Sequence, residues 1–149
     1  MPTTLDTRWD AVRIVADSTG YRLPTETQWE YACRAGTTTT YNTGATITNN
    51  TGWYSINSNG RTCQVGLLPA IAWGLHNMHG NVWEWCWDWY GTYASGAQTN
   101  PAGPGSGTFR VLRGGSWDSG ATPLRSASRG VNTPSGRNGA YGFRVVRPY

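Results

Sequence analysis

Lysine is absent from this 149-residue chain, so all twelve of its basic residues are arginine. Phenylalanine and methionine occur only twice each, so the usual unbranched and ring-only fillers of a core are scarce. Three cysteines, Cys33, Cys63 and Cys86, are widely spaced with no CxxC pair. That pattern argues against a disulfide framework and against a zinc site; one bridge stays open, and buried free thiols are expected. No apolar run approaches the roughly 18 residues that span a bilayer, and the first residues lack the charged and apolar regions of a signal peptide. A soluble chain without a membrane span is therefore expected, and its length suits one domain, residues 1–149.

What is present is glycine, proline and large amphipathic rings: 20 Gly, 8 Pro, 9 Trp and 8 Tyr. Such a chain folds with many loops, and its aromatic residues need polar partners as well as apolar ones. Charge is unevenly placed. Residues 1–109 hold five arginines against seven acids, a net −2, whereas residues 110–149 hold seven against Asp118 alone, a net +6. A basic segment suits nucleic acid, but these arginines stand inside repeated short words. Pairing with Glu26, Glu30, Glu84 and Asp88 is the stronger expectation, and nucleic acid is not the expected partner.

Trp9, Val12 and Ala16 recur at helical spacing and predict a first helix over Asp6–Asp17. In "YRLPTETQWEYACRAG", Thr25 and Gln28 form a capping-box pattern, Trp29, Ala32 and Cys33 share a face, and Gly36 supplies the stop. A second helix follows. Residues 37–62 are rich in Thr, Asn, Gly and Ser and read as a loop anchored by Trp53, Tyr54 and Ile56. "NVWEWCWDW" alternates in period two, with Val82, Glu84, Cys86 and Asp88 on one side and four tryptophans on the other, and reads as a strand. "FRVLRGGSW" and "YGFRVVRP" are further strand-like runs. Helices early and strands late give an α+β class, and long loops in a compact domain usually carry function.

Five segments, "GYRLPTETQWEYACRAG", "AWGLHNMHGNVWEWCWDWYG", "RVLRGGSW", "RSASRG" and "YGFRVV", together resemble the formylglycine-generating enzyme family, the sulfatase-modifying factors. The resemblance implies a C-type-lectin-like fold with two helices, a small twisted antiparallel sheet and extensive loops. It also implies an activity: oxidation of a substrate cysteine with copper held by two cysteines. In the family that pair lies between the GGS word and the next RxxxR word. Here the interval is Trp117 to Leu124, "WDSGATPL", without cysteine, and Ser119 supplies neither a soft ligand nor redox chemistry. Copper and this catalysis are therefore not expected; Cys63, in a loop, is the remaining candidate for a displaced site. The related three-histidine iron chemistry is excluded too, because only His76 and His79 exist. Relative to the family the chain begins near the first helices, without the usual N-terminal strand and its flanking segment, so the expectation is either a trimmed fold or one completed by a partner chain.

From Asp118 to Tyr141 there is no Lys, Glu, Gln, Met or Trp, the five residues that an Asn codon cannot become when only its adenines change. Small residues between conserved-looking words resemble the variable region of diversity-generating retroelement proteins, which use this same fold. The resemblance implies a variable segment at about residues 110–146 that displays a ligand-binding surface for a protein or glycan, compatible with display at a cell or virion surface. Its candidate contact residues are Trp117, Asp118, Ser119, Gly120, Ala121, Thr122, Ser128, Gly130, Val131, Asn132, Thr133, Ser135, Gly136, Asn138, Gly139, Ala140 and Tyr141. Arg113, Arg125, Arg129 and Arg144 are expected to hold the framing words by bonding carbonyls and carboxylates. The alternatives are an oxidising enzyme with a displaced site and a structural or oligomerising module.

In "HNMHGNVWEW", Asn77, Gly80, Val82 and Glu84 match a calcium site of the resembled family, with two side-chain oxygens and two carbonyls. The competing reading is a tight turn in which Glu84 pairs with an arginine. His76 and His79 are expected to pack or cap rather than bind metal.

Overall fold

The computed structural model describes residues 11–15 and 18–147. Most of the helix expected over residues 6–17 lies outside that range, and residues 12–15 within it are not helical. Among the described residues the one α-helix is α1, Glu26–Arg34. Thr25 Oγ1 accepts the Gln28 N–H at 3.2 Å and Gln28 Oε1 accepts the Thr25 N–H at 3.1 Å, so the capping box forms reciprocally. The helix ends where Ala35 turns left-handed (φ 44°), with Gly36 following at φ 88°.

Four strands, β1 (Trp83–Trp89), β2 (Arg110–Arg113), β3 (Arg129–Asn132) and β4 (Tyr141–Phe143), form one sheet in the order β3-β2-β1-β4. β2 pairs antiparallel with both β1 and β3, but β4 runs parallel to β1, with Trp83 opposite Tyr141 and Trp85 opposite Phe143. The sheet is thus mixed rather than wholly antiparallel. A parallel pair needs a long crossover, and the chain from β2 through β3 and the 133–140 loop supplies it. β3 had no strand signal, because its residues "RGVN" show no apolar alternation; its register comes from pairing along β2.

The alternation of β1 decides which side faces inward. Glu84, Cys86 and Asp88 are buried, while the four tryptophans are half-buried. The inner side packs on α1 around Trp29, Cys33, Met78, Cys86 and Val111. A second cluster of Tyr41, Tyr54 and Leu124 organises the irregular segments. Ile56, expected as an anchor of the 37–62 loop, is exposed; Tyr54 and the Trp53–Gly80 bridge hold that loop instead. No helix among the described residues is long and apolar enough to cross a membrane.

Candidate functional site

Two carboxylates buried on the inner side are clamped by arginines of the framing words. Arg129 Nε and Nη2 donate to Glu26 Oε1 and Oε2 at 2.7 and 2.8 Å, and Arg144 makes the same side-on pair with Glu84 at 2.8 and 2.8 Å. Each guanidinium also reaches a carbonyl, Arg129 to Gly91 at 3.0 Å and Arg144 to His76 at 3.0 Å. Arg113, fully buried, donates to Glu30 and to the Ser128 carbonyl. Tyr90 and Tyr93 stack on Arg129 at 4.4 and 4.2 Å. Planar, always-charged side chains with several donors suit this work. Arg125 is different: its side chain is exposed and bonds only the Thr122 carbonyl among the described residues. Asp88 accepts the Glu26 N–H at 2.7 Å.

With the charges inside, the outer side of the sheet carries rings. Register places Trp83, Trp85, Leu112, Gly130, Tyr141 and Phe143 on that side. Trp85 meets Tyr141 edge to face at 5.9 Å, and Asn132 Nδ2 donates to the Tyr141 hydroxyl at 2.9 Å. Gly130 lies under Trp83, where an added Cβ would come within 2.9 Å of the ring. The two halves of the segment expected to vary meet at the start of β1. Trp117 N–H donates to the Asn81 carbonyl at 2.9 Å, and Trp83 N–H to the Ala140 carbonyl at 2.8 Å.

The candidate contact residues separate accordingly. Asp118, Gly120, Ala121, Thr122, Val131, Asn138 and Gly139 are exposed. Trp117, Ser119, Gly130, Asn132, Thr133, Ser135, Gly136 and Tyr141 are half-buried around the ring face and the loops beside it. Ser128 and Ala140 are buried and belong to the frame, a correction to their assignment as surface. Ser128 Oγ donates to the Thr122 carbonyl at 2.7 Å, and Ala140 N–H is held by Asn138 Oδ1 at 2.8 Å. Asp118 and Ser119 tie back to Ser116 Oγ at 2.5 and 2.9 Å, so in this copy they also brace their own loop.

A cavity of about 500 Å³ is lined by Trp85 and Trp87, Phe143 and Val145, and residues 134–137. Sequence reasoning missed this groove, although the period-two tryptophans had already marked part of its lining.

The residues expected to hold calcium are arranged unequally. The Asn77 side-chain amide is buried with neither atom bonded, which suits a ligand. Both oxygens of Glu84, however, accept from Arg144, and Oε2 also accepts the Trp29 indole N–H at 2.6 Å. In this arrangement Glu84 makes the ion pair of the tight-turn reading, and a calcium ion held by Asn77, Gly80, Val82 and Glu84 would share that carboxylate with Arg144. Among the described residues no group of three or more His, Cys, Asp or Glu could hold a metal. His79 is buried between the Leu124 carbonyl at 2.7 Å and the Asn42 N–H at 3.2 Å, and burial lowers its pKa. Burial pushes the Cys33 thiol up to about 12 and Cys86 well above its ordinary value, so neither supplies a thiolate. Cys63 is half-buried in its loop, its backbone clasped by the Asn81 side chain.

Comparison with known proteins places this geometry. Residues 2–149 match the sulfatase-modifying factor enzyme 1-like domain. The chain is 40% identical over 157 residues to a formylglycine-generating enzyme of Streptomyces coelicolor, covering 93% of this chain and 50% of that protein. It is 41% identical over 144 residues to serine/threonine-protein kinase pkn1 of Chlamydia caviae, covering 93% of this chain and 23% of the relative. Among solved structures, Treponema denticola variable protein 1 superposes with a TM-score of 0.86 at 37% identity, covering 96% of this chain and 53% of that one. The chain thus spans half or less of the length of these curated relatives. With nearly every residue matched, the chain belongs to the sulfatase-modifying factor enzyme 1-like family.

Proposed function

We propose that this chain is a non-enzymatic variable protein that displays a diversified ligand-binding surface, for a protein or glycan, on a formylglycine-generating-enzyme-type scaffold. The supporting observation is stereochemical. Half of the glycines are left-handed, including Gly114 (φ 95°) and Gly115 (φ 74°) in the framing word, yet from Ser116 to Arg147 no residue has a positive φ. Gly120 and Gly139 have ordinary φ, and a Cβ added at either would meet nothing within 4 Å. Such backbone makes no left-handed demand on L residues, so rewriting there is limited by packing, as at Gly130 and Gly136, and not by backbone strain of the kind Gly114 and Gly115 carry. The solved variable protein and the absence of cysteine from Trp117 to Leu124 support the same reading.

The test is to pan several variants of the full chain, differing only within residues 117–141, against a common set of proteins and glycans. Distinct partners are expected for distinct variants. Identical partners for all, or copper-dependent oxygen consumption with a cysteine peptide that is lost in Cys63→Ser, would overturn the proposal.

A further inference from the structure

We infer that the groove beside the tryptophan face takes an acidic, apolar segment of a partner protein, and that Gly136 sets its depth. This rests on the ligand-binding reading above and names the chemistry of the ligand. A cavity of about 500 Å³ lies within the usual range for ligand sites, roughly 300–1,000 Å³. Four of the residues that line it, Trp85, Trp87, Phe143 and Val145, offer mainly carbon surface. A sugar ring needs several directed donors and acceptors, and this lining offers few; large apolar side chains match it better.

Charge supplies the other half. Among the described residues the charged groups lining the groove are Arg22, Arg110 and Arg137; Arg110 already bonds the Trp87 carbonyl and stacks on Trp87 and Trp89, so Arg22 and Arg137 are the cations on offer. Among the acids of the described residues, Glu26, Glu84 and Asp88 are buried, Glu30 is held by Arg34 and Arg113, and Asp118 is tied to Ser116. Arg22 spends its hydrogen bonds on the Leu23 carbonyl and Gln28, both neutral. Arg137 is exposed and makes no bond or ion pair among the described residues. A carboxylate arriving beside an apolar side chain therefore meets positive charge at Arg22 and Arg137. A second copy of the same face would set arginine against arginine.

Gly136 belongs to the variable segment and lines this groove. A Cβ there would come within 2.7 Å of the Asn132 amide carbon and oxygen, which are side chain and not backbone. That amide bonds the Tyr141 hydroxyl and the Thr133 N–H, so substitution at residue 136 narrows the groove at the expense of those bonds.

The probe is a fluorescein-labelled synthetic nonapeptide alternating Glu with Leu and Trp, titrated onto the intact chain by fluorescence polarisation, with tryptophan emission as a second readout. Saturable binding with a shift in emission is expected. Versions with Lys for Glu, or Ser for Leu and Trp, should bind at least about tenfold more weakly, and Arg137→Glu should cost about fivefold or more. Gly136→Trp should abolish binding, while Thr27→Trp on the exposed side of α1 adds the same bulk without effect. Arg137 is a surface side chain, so that variant keeps the test valid even where Gly136→Trp lowers stability. Absence of saturable binding, equal binding of the Lys version, or wild-type affinity in Gly136→Trp overturns the inference. So does a sedimenting dimer that Gly136→Trp turns into monomer. If substitutions at residues 118–122 remove ligand binding and groove substitutions do not, the variable-surface reading stands and the groove assignment falls.

Discussion

Arg129 and Glu26 lie 103 residues apart in the chain and meet side-on through two hydrogen bonds of 2.7 and 2.8 Å. Glu26 is nearly fully buried, so removing its partner leaves a carboxylate short of its compensation. Arg129→Ala is expected to cost about 3 kcal/mol, read as a lower urea midpoint. Arg129→Lys should recover only part of this, because an ammonium cannot span both oxygens and also reach the Gly91 carbonyl. Full rescue by lysine would show that charge alone matters there.

The division between frame and variable segment can be tested without any ligand. A Cβ at Gly115, besides its positive φ, would lie 2.6 Å from Leu124 Cδ1 and 3.2 Å from the Leu124 backbone nitrogen. Gly115→Ala should therefore cost more than about 1 kcal/mol, a fall in Tm of a few degrees for a domain of this size. Gly120→Ala and Gly139→Ala should be neutral or stabilising by up to about 1 kcal/mol, since each only restricts the unfolded chain. Equal losses at all three positions would contradict the division.

His79 makes stability depend on pH. Its folded pKa lies below the ordinary 6.5 because burial disfavours the charged ring, and protonation of Nε2 would also oppose the Asn42 N–H. The unfolded chain therefore takes up this proton first. The contribution is complete above about pH 6.5 and is lost as pH falls below it toward the folded pKa. Asp88 is shifted the other way, upward from 3.8, so its opposing effect belongs to more acidic solution. Urea midpoints should fall between pH 7.5 and 5 in the native chain, with a flatter profile in His79→Gln. A parallel slope in the variant would assign the effect elsewhere.

Thiol reactivity should split one to two. Cys63 is half-buried, whereas Cys33 and Cys86 are buried with thiols held protonated. An aromatic disulfide reagent at pH 8 should titrate one thiol in the folded chain and all three in denaturant. Two fast thiols would mean that the core around α1 opens readily.

Much of this architecture was legible in the residues. Thr25 and Gln28 marked the start of α1, and the period-two run marked β1, because both signals are local. The arginine–carboxylate pairs were legible as an expectation, since uneven charge in a loop-rich chain leaves few other partners. The direction of β4 was not, because "YGFRVV" reads the same whether its neighbour runs parallel or antiparallel. β3 was silent because glycine at residue 130 makes room for the Trp83 ring from another strand. The groove arises where β1, the Leu23–Pro24 segment and the 134–137 turn converge, with Trp87 N–H bonded to the Pro24 carbonyl at 2.8 Å. Such convergence is a tertiary property with no local signature.

The clamps join distant parts of the chain: Glu26, Glu30 and Glu84 come from before residue 110, and Arg113, Arg129 and Arg144 from after it. Losing one of those arginines strands a carboxylate from the earlier part of the chain. Under the variable-segment proposal, a copy without one would lose stability before it is ever asked to bind, and cellular proteolysis would favour its removal. Folding would then act as a proofreading step on the frame.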